Sequence, residues 1–227
     1  MSLLDKIKKA GAELSDALTG TPTLLREIKE KAATRRKTIV LCEGEDKRVV
    51  EAAAKITAEG IAKIVLIGNE AECKKVAPDV DLTGITLVDP LTSDKTEEYA
   101  NILYEARKAK GMTKEQAAEQ AKDRTMFGAL MLKAGDVDGY VSGACHSTAN
   151  TLRPGLQVVK TAPGIKTVSS CFIMIAPDKN NPYNPDGVAV FADCAINIEP
   201  TFNLFLFCLQ RRYSHGRHNI VYTAAAG

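Results

Sequence analysis

At 227 residues and 45% hydrophobic content, the chain can bury a sizeable core in one large or two small domains. Lys and Arg total 30 against 28 Asp and Glu, and the net charge of +2 gives no bulk field for nucleic acid or an anionic membrane, so partners must be argued from a local site. The six cysteines (Cys42, Cys73, Cys145, Cys171, Cys194, Cys208) are dispersed, with no Cys-x-x-Cys pair of the zinc or dithiol kind, and read as small buried hydrophobes in a reduced compartment.

The first stretch, MSLLDKIKKAGAEL, is an amphipathic helix pattern rather than a signal peptide, because Asp5 and three lysines interrupt any apolar core. No apolar run approaches the roughly 20 residues that span a bilayer, and the expectation is a soluble, cytoplasmic protein with no membrane partner. Leu3, Leu4 and Ile7, then Leu24, Leu25 and Ile28, predict two helices broken at Thr19–Pro22, and residues 1–35 are read as a helical appendage.

TIVLC from Thr38 fits a strand buried on both faces. Glu43-Gly44-Glu45-Asp46 then turns the chain, and Asp46 caps a helix with Val49, Ala53 and Ile56 on its apolar face, ending at Gly60. The acids Glu43, Glu45 and Asp46 read as a metal cluster or as a turn with a cap, and the cap accounts for all that is visible. KIVLIG is a second strand, Asn69 opens a short helix that stops near Pro78, and ITLVDP is a third strand. Asp94 with Glu97 predicts a capping box and a helix through Leu103 and Arg107 to Gly111. Thr113 with Gln116 repeats the signal for one helix running to Gly135, rich in Ala and Met. Strands alternating with helices mean right-handed crossovers and a mostly parallel sheet, so the class is α/β.

GDVDGYVSG returns to the sheet and delivers YVSGACHSTANTLRPG, from Tyr140, at a strand's carboxyl end, where ligands of open α/β sheets bind. Ser142, Ser147, Thr148 and Thr151 bring hydroxyls, Gly143 allows close backbone approach, and Arg153 adds a fixed positive fork. A strand-to-helix turn with unpaired N–H groups suits an anion. Pro154 places Arg153 in a first helical turn, at the anion-facing end; the plainer alternative is a helix-start arginine paired with a surface carboxylate. His146 has no Asp placed by sequence to orient it and reads as lining the site rather than acting as its base. Cys145 reads as buried rather than nucleophilic. Beyond Gly164, TVSSCFIMIAP and VAVFADCAI read as neighbouring strands of a hairpin opening a second domain, with Asp193 breaking the second apolar run.

VSGACHSTANTLRPGLQVVKTAPG, the strand around Ile67, YEARKAKGMT, VDGYVSG and VFADCAIN together resemble the phosphate acetyl/butyryltransferase family, over roughly residues 30–201. The resemblance implies a three-layer αβα fold of two domains, like isocitrate and isopropylmalate dehydrogenases, with a site in a cleft and a homodimer. It implies exchange of an acetyl group between coenzyme A and inorganic phosphate, giving acetyl phosphate, in acetate metabolism. No metal or redox cofactor is implied, and coenzyme A is a substrate. Phosphate butyryltransferase differs only in the acyl pocket. By resemblance, Ser142, Gly143, Ser147, Thr148 and Arg153 line the phosphate and coenzyme pocket, and His146 and Thr151, read from the stretch itself, are counted with them. Arg107 adds an anion contact, although its place in a basic run with Lys108 and Lys110 is also that of a solvated helix end.

The expected division is a first α/β domain at 36–163, the start of an incomplete second at 164–201, and an aberrant tail at 202–227 that does not return to the first sheet. After Pro200-Thr201 the tail carries three of the six Phe and two of the three His without sustained periodicity, and is read as out of frame or as the end of a fragment. On that reading the family's catalytic Ser-Arg and Asp lie in a missing segment. No residue here takes their roles, and a binding module without turnover is the alternative.

Overall fold

The computed structural model of the chain describes residues 23–161, 168, 170–175, 188–192 and 221–223. These fall into two compact units, one spanning Thr23–Lys160 together with a strand at Val221–Thr223, the other carrying the described residues between Thr161 and His218. The expected helix over the first twenty residues, the 178–187 loop and Asp193 lie outside the described residues, as does most of the tail.

The first unit is a five-stranded parallel sheet. Its strands are β1 (Thr38–Leu41), β2 (Lys63–Ile67), β3 (Thr86–Val88), β4 (Gly139–Ser142) and β7 (Val221–Thr223), in the order β3-β2-β1-β4-β7. Because successive side chains point to opposite faces, β1 sends Val40 and Cys42 one way and Ile39 and Leu41 the other, and β2 divides Val65 and Ile67 from Ile64 and Leu66. Both sets are packed, which is why these strands read as continuous apolar runs. One face is covered by α2 (Lys47–Ala58) and α3 (Glu70–Val76). The other is covered by α4 (Thr96–Arg107), α5 (Lys114–Gln120) and α6 (Arg124–Ala134). The αβα layering expected from the sequence is present.

Local signals explain most boundaries. Asp46 accepts from the Arg48 amide, Asn69 from that of Glu72, and Thr113 and Gln116 form a reciprocal capping box. Two expectations need correction. Asp94 caps nothing: α4 starts at Thr96, and its N-cap Lys95 makes no side-chain cap bond. The single helix predicted from Thr113 to Gly135 is two, because Asp123 accepts from the Met126 amide and starts a new one. That second helix, α6, is buried from Thr125 to Leu132, which accounts for its small and apolar residues. Gly128 lies where a Cβ would come within 2.6 Å of the Cys42 sulfur, so α6 is seated closely on the sheet.

Helix α1 (Thr23–Arg35) groups with the sheet unit rather than with an appendage. Between α1, α2 and the sheet runs an apolar groove of about 480 Å³, lined by Ile39, Leu41, Val49, Ile56, Ile64 and Val141, with Glu43, Ser142 and Ala144 also on its wall. The tail does return to the first sheet, through β7, which pairs in parallel with β4 from Tyr140↔Val221 to Ser142↔Thr223. The sequence hid this because a three-residue strand carries no readable periodicity.

In the second unit, β5 (Cys171–Ile175) and β6 (Val188–Ala192) pair antiparallel, from Cys171↔Ala192 to Ile175↔Val188, the expected hairpin. Phe172, Ile173, Met174 and Phe191 are exposed on it.

Candidate functional site

In the strand order, β1 lies between β2 and β4, so the connections that leave β1 and β4 depart to opposite sides. The carboxyl ends of β1 and β4 therefore flank the kind of crevice in which open α/β sheets bind ligands. Glu43 leaves β1 there and Gly143 leaves β4, with Cys42 donating its amide to the Val141 carbonyl at 3.3 Å.

Glu43, read from the sequence only as part of an acidic turn, has a role there that sequence reasoning missed. It is 2% exposed, and its carboxylate accepts from three successive loop amides: Gly143 (3.1 Å to each oxygen), Ala144 (2.9 Å) and Cys145 (3.0 Å). His146 Nδ1 lies 2.7 Å from the same carboxylate. Burial works to raise the Glu43 carboxyl, but the hydrogen bonds from His146, Cys145, Ala144 and Gly143 together outweigh it and hold it below the usual range. The loop amides expected to be free for a ligand anion are thus occupied by an anion of the protein. Only one signal was available: an acid directly after an apolar strand, 100 residues before its partners.

Several assignments change with this geometry. Gly143 has φ 116, which explains the glycine without any ligand. His146 does have an orienting carboxylate; with Nδ1–H donating to ionised Glu43, neutral imidazole leaves Nε2 as an acceptor. Cys145 is exposed, not buried, as is Cys171, whereas Cys42 and Cys73 are buried as expected. Partial desolvation of its sulfur and the neighbouring carboxylates of Glu43 and Glu45 push the Cys145 thiol up to about 12, against a role as thiolate nucleophile. Arg48, also unmarked in the sequence, bonds Asp46 and donates to the Ala144 carbonyl at 2.7 Å, tying the loop to α2.

Helix α7 (Thr148–Pro154) follows, capped by Ser147, whose hydroxyl accepts from Asn150. Ser147 and Thr148 are exposed, and among the described residues the Thr148 and Ala149 amides donate to no partner, as expected of a first turn. Thr151 is buried: its hydroxyl donates to the Ser147 carbonyl at 3.1 Å, and it belongs with Pro154, Gly155 and Val158 on the core stripe. It is not presented to a ligand. Pro154 ends α7 rather than starting it, and the chain runs on through a π-turn, Gly155–Val159. Arg153 is therefore not in the first turn. It shares the Ala149 face at i, i+4, exposed and without a partner among the described residues, and long helical side chains point back toward the N-terminus.

Ser142 is buried, its hydroxyl without a hydrogen-bond partner among the described residues. Arg107 ends α4, half-buried, and its Nε is buried and unpartnered. No hydrogen bond or ion pair joins it to the loop among the described residues. Tyr140, on β4, donates to the Thr151 carbonyl at 3.4 Å and packs α7 onto the sheet.

Comparison with known proteins decides the family. Residues 23–204 match the family described as phosphate acetyl/butaryl transferase. The chain belongs to that family. It is 53% identical over 178 residues to a phosphate acetyltransferase of Acetivibrio thermocellus, covering 78% of this chain and 53% of that protein. To the phosphate acetyltransferase of Escherichia coli it is 47% identical over 183 residues, covering 79% of this chain and 24% of the relative. A solved phosphotransacetylase from Streptococcus pyogenes superposes with a TM-score of 0.72 at 35% identity, over 82% of this chain and 55% of that one. The EutD phosphotransacetylase from Staphylococcus aureus gives 0.67 at 38%, over 78% and 51%. The chain thus spans about half the length of the Acetivibrio relative and of the two solved structures, and about a quarter of the Escherichia coli one. Among the described residues no helix is long and apolar enough to cross a membrane.

Proposed function

We propose that this chain binds phosphate and coenzyme A and serves acetyl exchange between them, acetyl-CoA plus phosphate giving acetyl phosphate plus coenzyme A. Family membership supports the chemistry. The observation that carries the site is the first turn of α7: two unpartnered amides, the Ser147 and Thr148 hydroxyls, and the exposed Arg153 on the Ala149 face. That set suits a tetrahedral oxyanion if Arg153, which sits in the last turn, extends back along the helix toward the amides of the first. Arg107, with a buried unpartnered Nε, enters the reading as a second cation on family resemblance alone, and Ser142 and His146 belong to the stretch that leads into α7.

Acyl transfer between thioester and phosphate needs no electron carrier, and coenzyme A enters as substrate. The phosphate oxygen attacks the thioester carbonyl, the C–O bond forms as the C–S bond breaks, and coenzyme A leaves as thiolate. Hydrogen-bond donors near the carbonyl oxygen lower that barrier. Here Glu43 holds the loop that presents His146 and Ser147, and the family's thiol-activating residues are assigned to no position of this chain. A cytoplasmic setting, acetate metabolism and a homodimer complete the proposal.

The test is phosphate-dependent thiol release from acetyl-CoA, with acetyl phosphate trapped as the hydroxamate. Turnover supports the full reading. Calorimetric binding of coenzyme A without turnover supports a binding role alone, and neither turnover nor binding contradicts both.

A further inference from the structure

We propose that Glu43, Cys145 and His146 form a binding site for a zinc-like divalent cation at the carboxyl end of the sheet. The sequence showed no such pattern, because the first donor lies a hundred residues before the others. In the structure Cys145 Sγ is 3.6 Å from Glu43 Oε1 and 3.7 Å from His146 Nδ1, and Nδ1 is 2.7 Å from Oε1. One atom from each lies within 4.8 Å of the other two.

Tetrahedral zinc with a thiolate at about 2.3 Å, imidazole nitrogen at about 2.05 Å and carboxylate oxygen at about 2.0 Å requires edges of about 3.6 Å (S to N), about 3.5 Å (S to O) and about 3.3 Å (N to O). Both sulfur edges already match. The third is shorter because a hydrogen bond occupies it, and opens by about 0.6 Å when the cation replaces that proton. Binding sends the thiol proton to solvent and moves the imidazole proton from Nδ1 to Nε2. The protein supplies three donors here and the fourth position is left to water; Glu45 Oε1 lies 3.8 Å from Sγ but does not share the three-donor cluster, and its Oε2 is engaged by Arg124.

Other requirements of a metal site are also met. The Gly143, Ala144 and Cys145 amides fix the Glu43 carboxylate, Gly143 and Cys145 bonding Oε1 and Gly143 and Ala144 bonding Oε2. Cys145 is exposed, so the cation has an entry path. A thiolate, an imidazole and a carboxylate together favour zinc over magnesium or calcium. Since the loop leads directly into Ser147 and α7, an occupied site would tether the segment proposed to hold phosphate.

The test is titration of the full chain with Co²⁺ as a coloured stand-in for Zn²⁺. The expected result is one equivalent bound with tetrahedral visible bands and a near-ultraviolet sulfur-to-cobalt band, displaced by Zn²⁺. Cys145→Ser should abolish the sulfur band, and Cys145→Ser and His146→Gln should each weaken zinc at least about tenfold in competition with a chromogenic chelator. Cys171→Ser should change neither. A cobalt spectrum without the sulfur band, or zinc affinity unchanged in Cys145→Ser, would overturn the site. Neither readout depends on acetyl transfer.

Discussion

Removing the Glu43 carboxylate should free the loop between β4 and α7 more than any other single change. Its oxygens satisfy three consecutive amides and face one imidazole nitrogen. At a net value of about 1 kcal/mol for each amide bond, Glu43→Ala loses about 3 kcal/mol. The charged acceptor strengthens each bond, and relief of carboxylate burial offsets part of that gain. Glu43→Gln keeps one acceptor but turns an NH₂ toward the amides, at a cost of about 2 kcal/mol. The direct assay is amide hydrogen exchange in metal-free buffer. Gly143, Ala144 and Cys145 should lose about 100-fold protection in Glu43→Ala, since about 1.4 kcal/mol is tenfold. The midpoint of thermal unfolding should fall by about 6–12 °C. Unchanged exchange at these three amides would show that the loop holds its shape without Glu43.

Three further predictions test other parts of the fold. Gly128→Ala drives a methyl against the Cys42 sulfur and the Tyr140 ring, and should cost about 1–3 kcal/mol in chemical denaturation. Thr151→Val removes the bond to the Ser147 carbonyl and should cost about 1 kcal/mol while leaving phosphate affinity unchanged; lost affinity would return Thr151 to the ligand site. Asp138 is held below the usual carboxylate range by Lys37 and then by the Thr38 amide, at the start of β1. A depressed carboxyl stabilises the fold above its unfolded value of about 3.9, and the gain is lost as pH falls through the folded value. The partly exposed pair is worth about 0.5–1 kcal/mol, so Asp138→Asn should be less stable than the parent by that amount at pH 7 and equal to it at the acid end.

The layers of this fold were legible because parallel strands buried on both faces are continuous apolar runs, and because Asp46, Asn69 and Thr113 mark helix starts by chemistry local to them. Asp123 was hidden within an unbroken apolar period, so two helices read as one. Strand β7 was hidden because three residues set no period, and what defines it is pairing with β4, a long-range fact. The site divides in the same way. Ser147 and Gly143 could be located in the turn after β4 from local pattern, whereas Arg153 was put in the wrong turn because Pro154 was taken as a helix start when it is a helix end; Thr151, read as a loop hydroxyl, lies on the buried stripe of α7. Glu43 could not be found by spacing, because the contacts that define it cross from β1 to β4 through the register of the sheet.

In the proposed site the first turn of α7 and Arg153 receive the phosphate groups of substrate. The deciding measurement of this claim is calorimetric titration of coenzyme A into the parent chain and into Arg153→Ala. A guanidinium bonding a phosphate contributes about 1.5–3 kcal/mol, so the variant should bind about 10- to 100-fold more weakly. Its unfolding midpoint should not move, because Arg153 is exposed and unpartnered among the described residues. Equal affinity in the two proteins would contradict the claim.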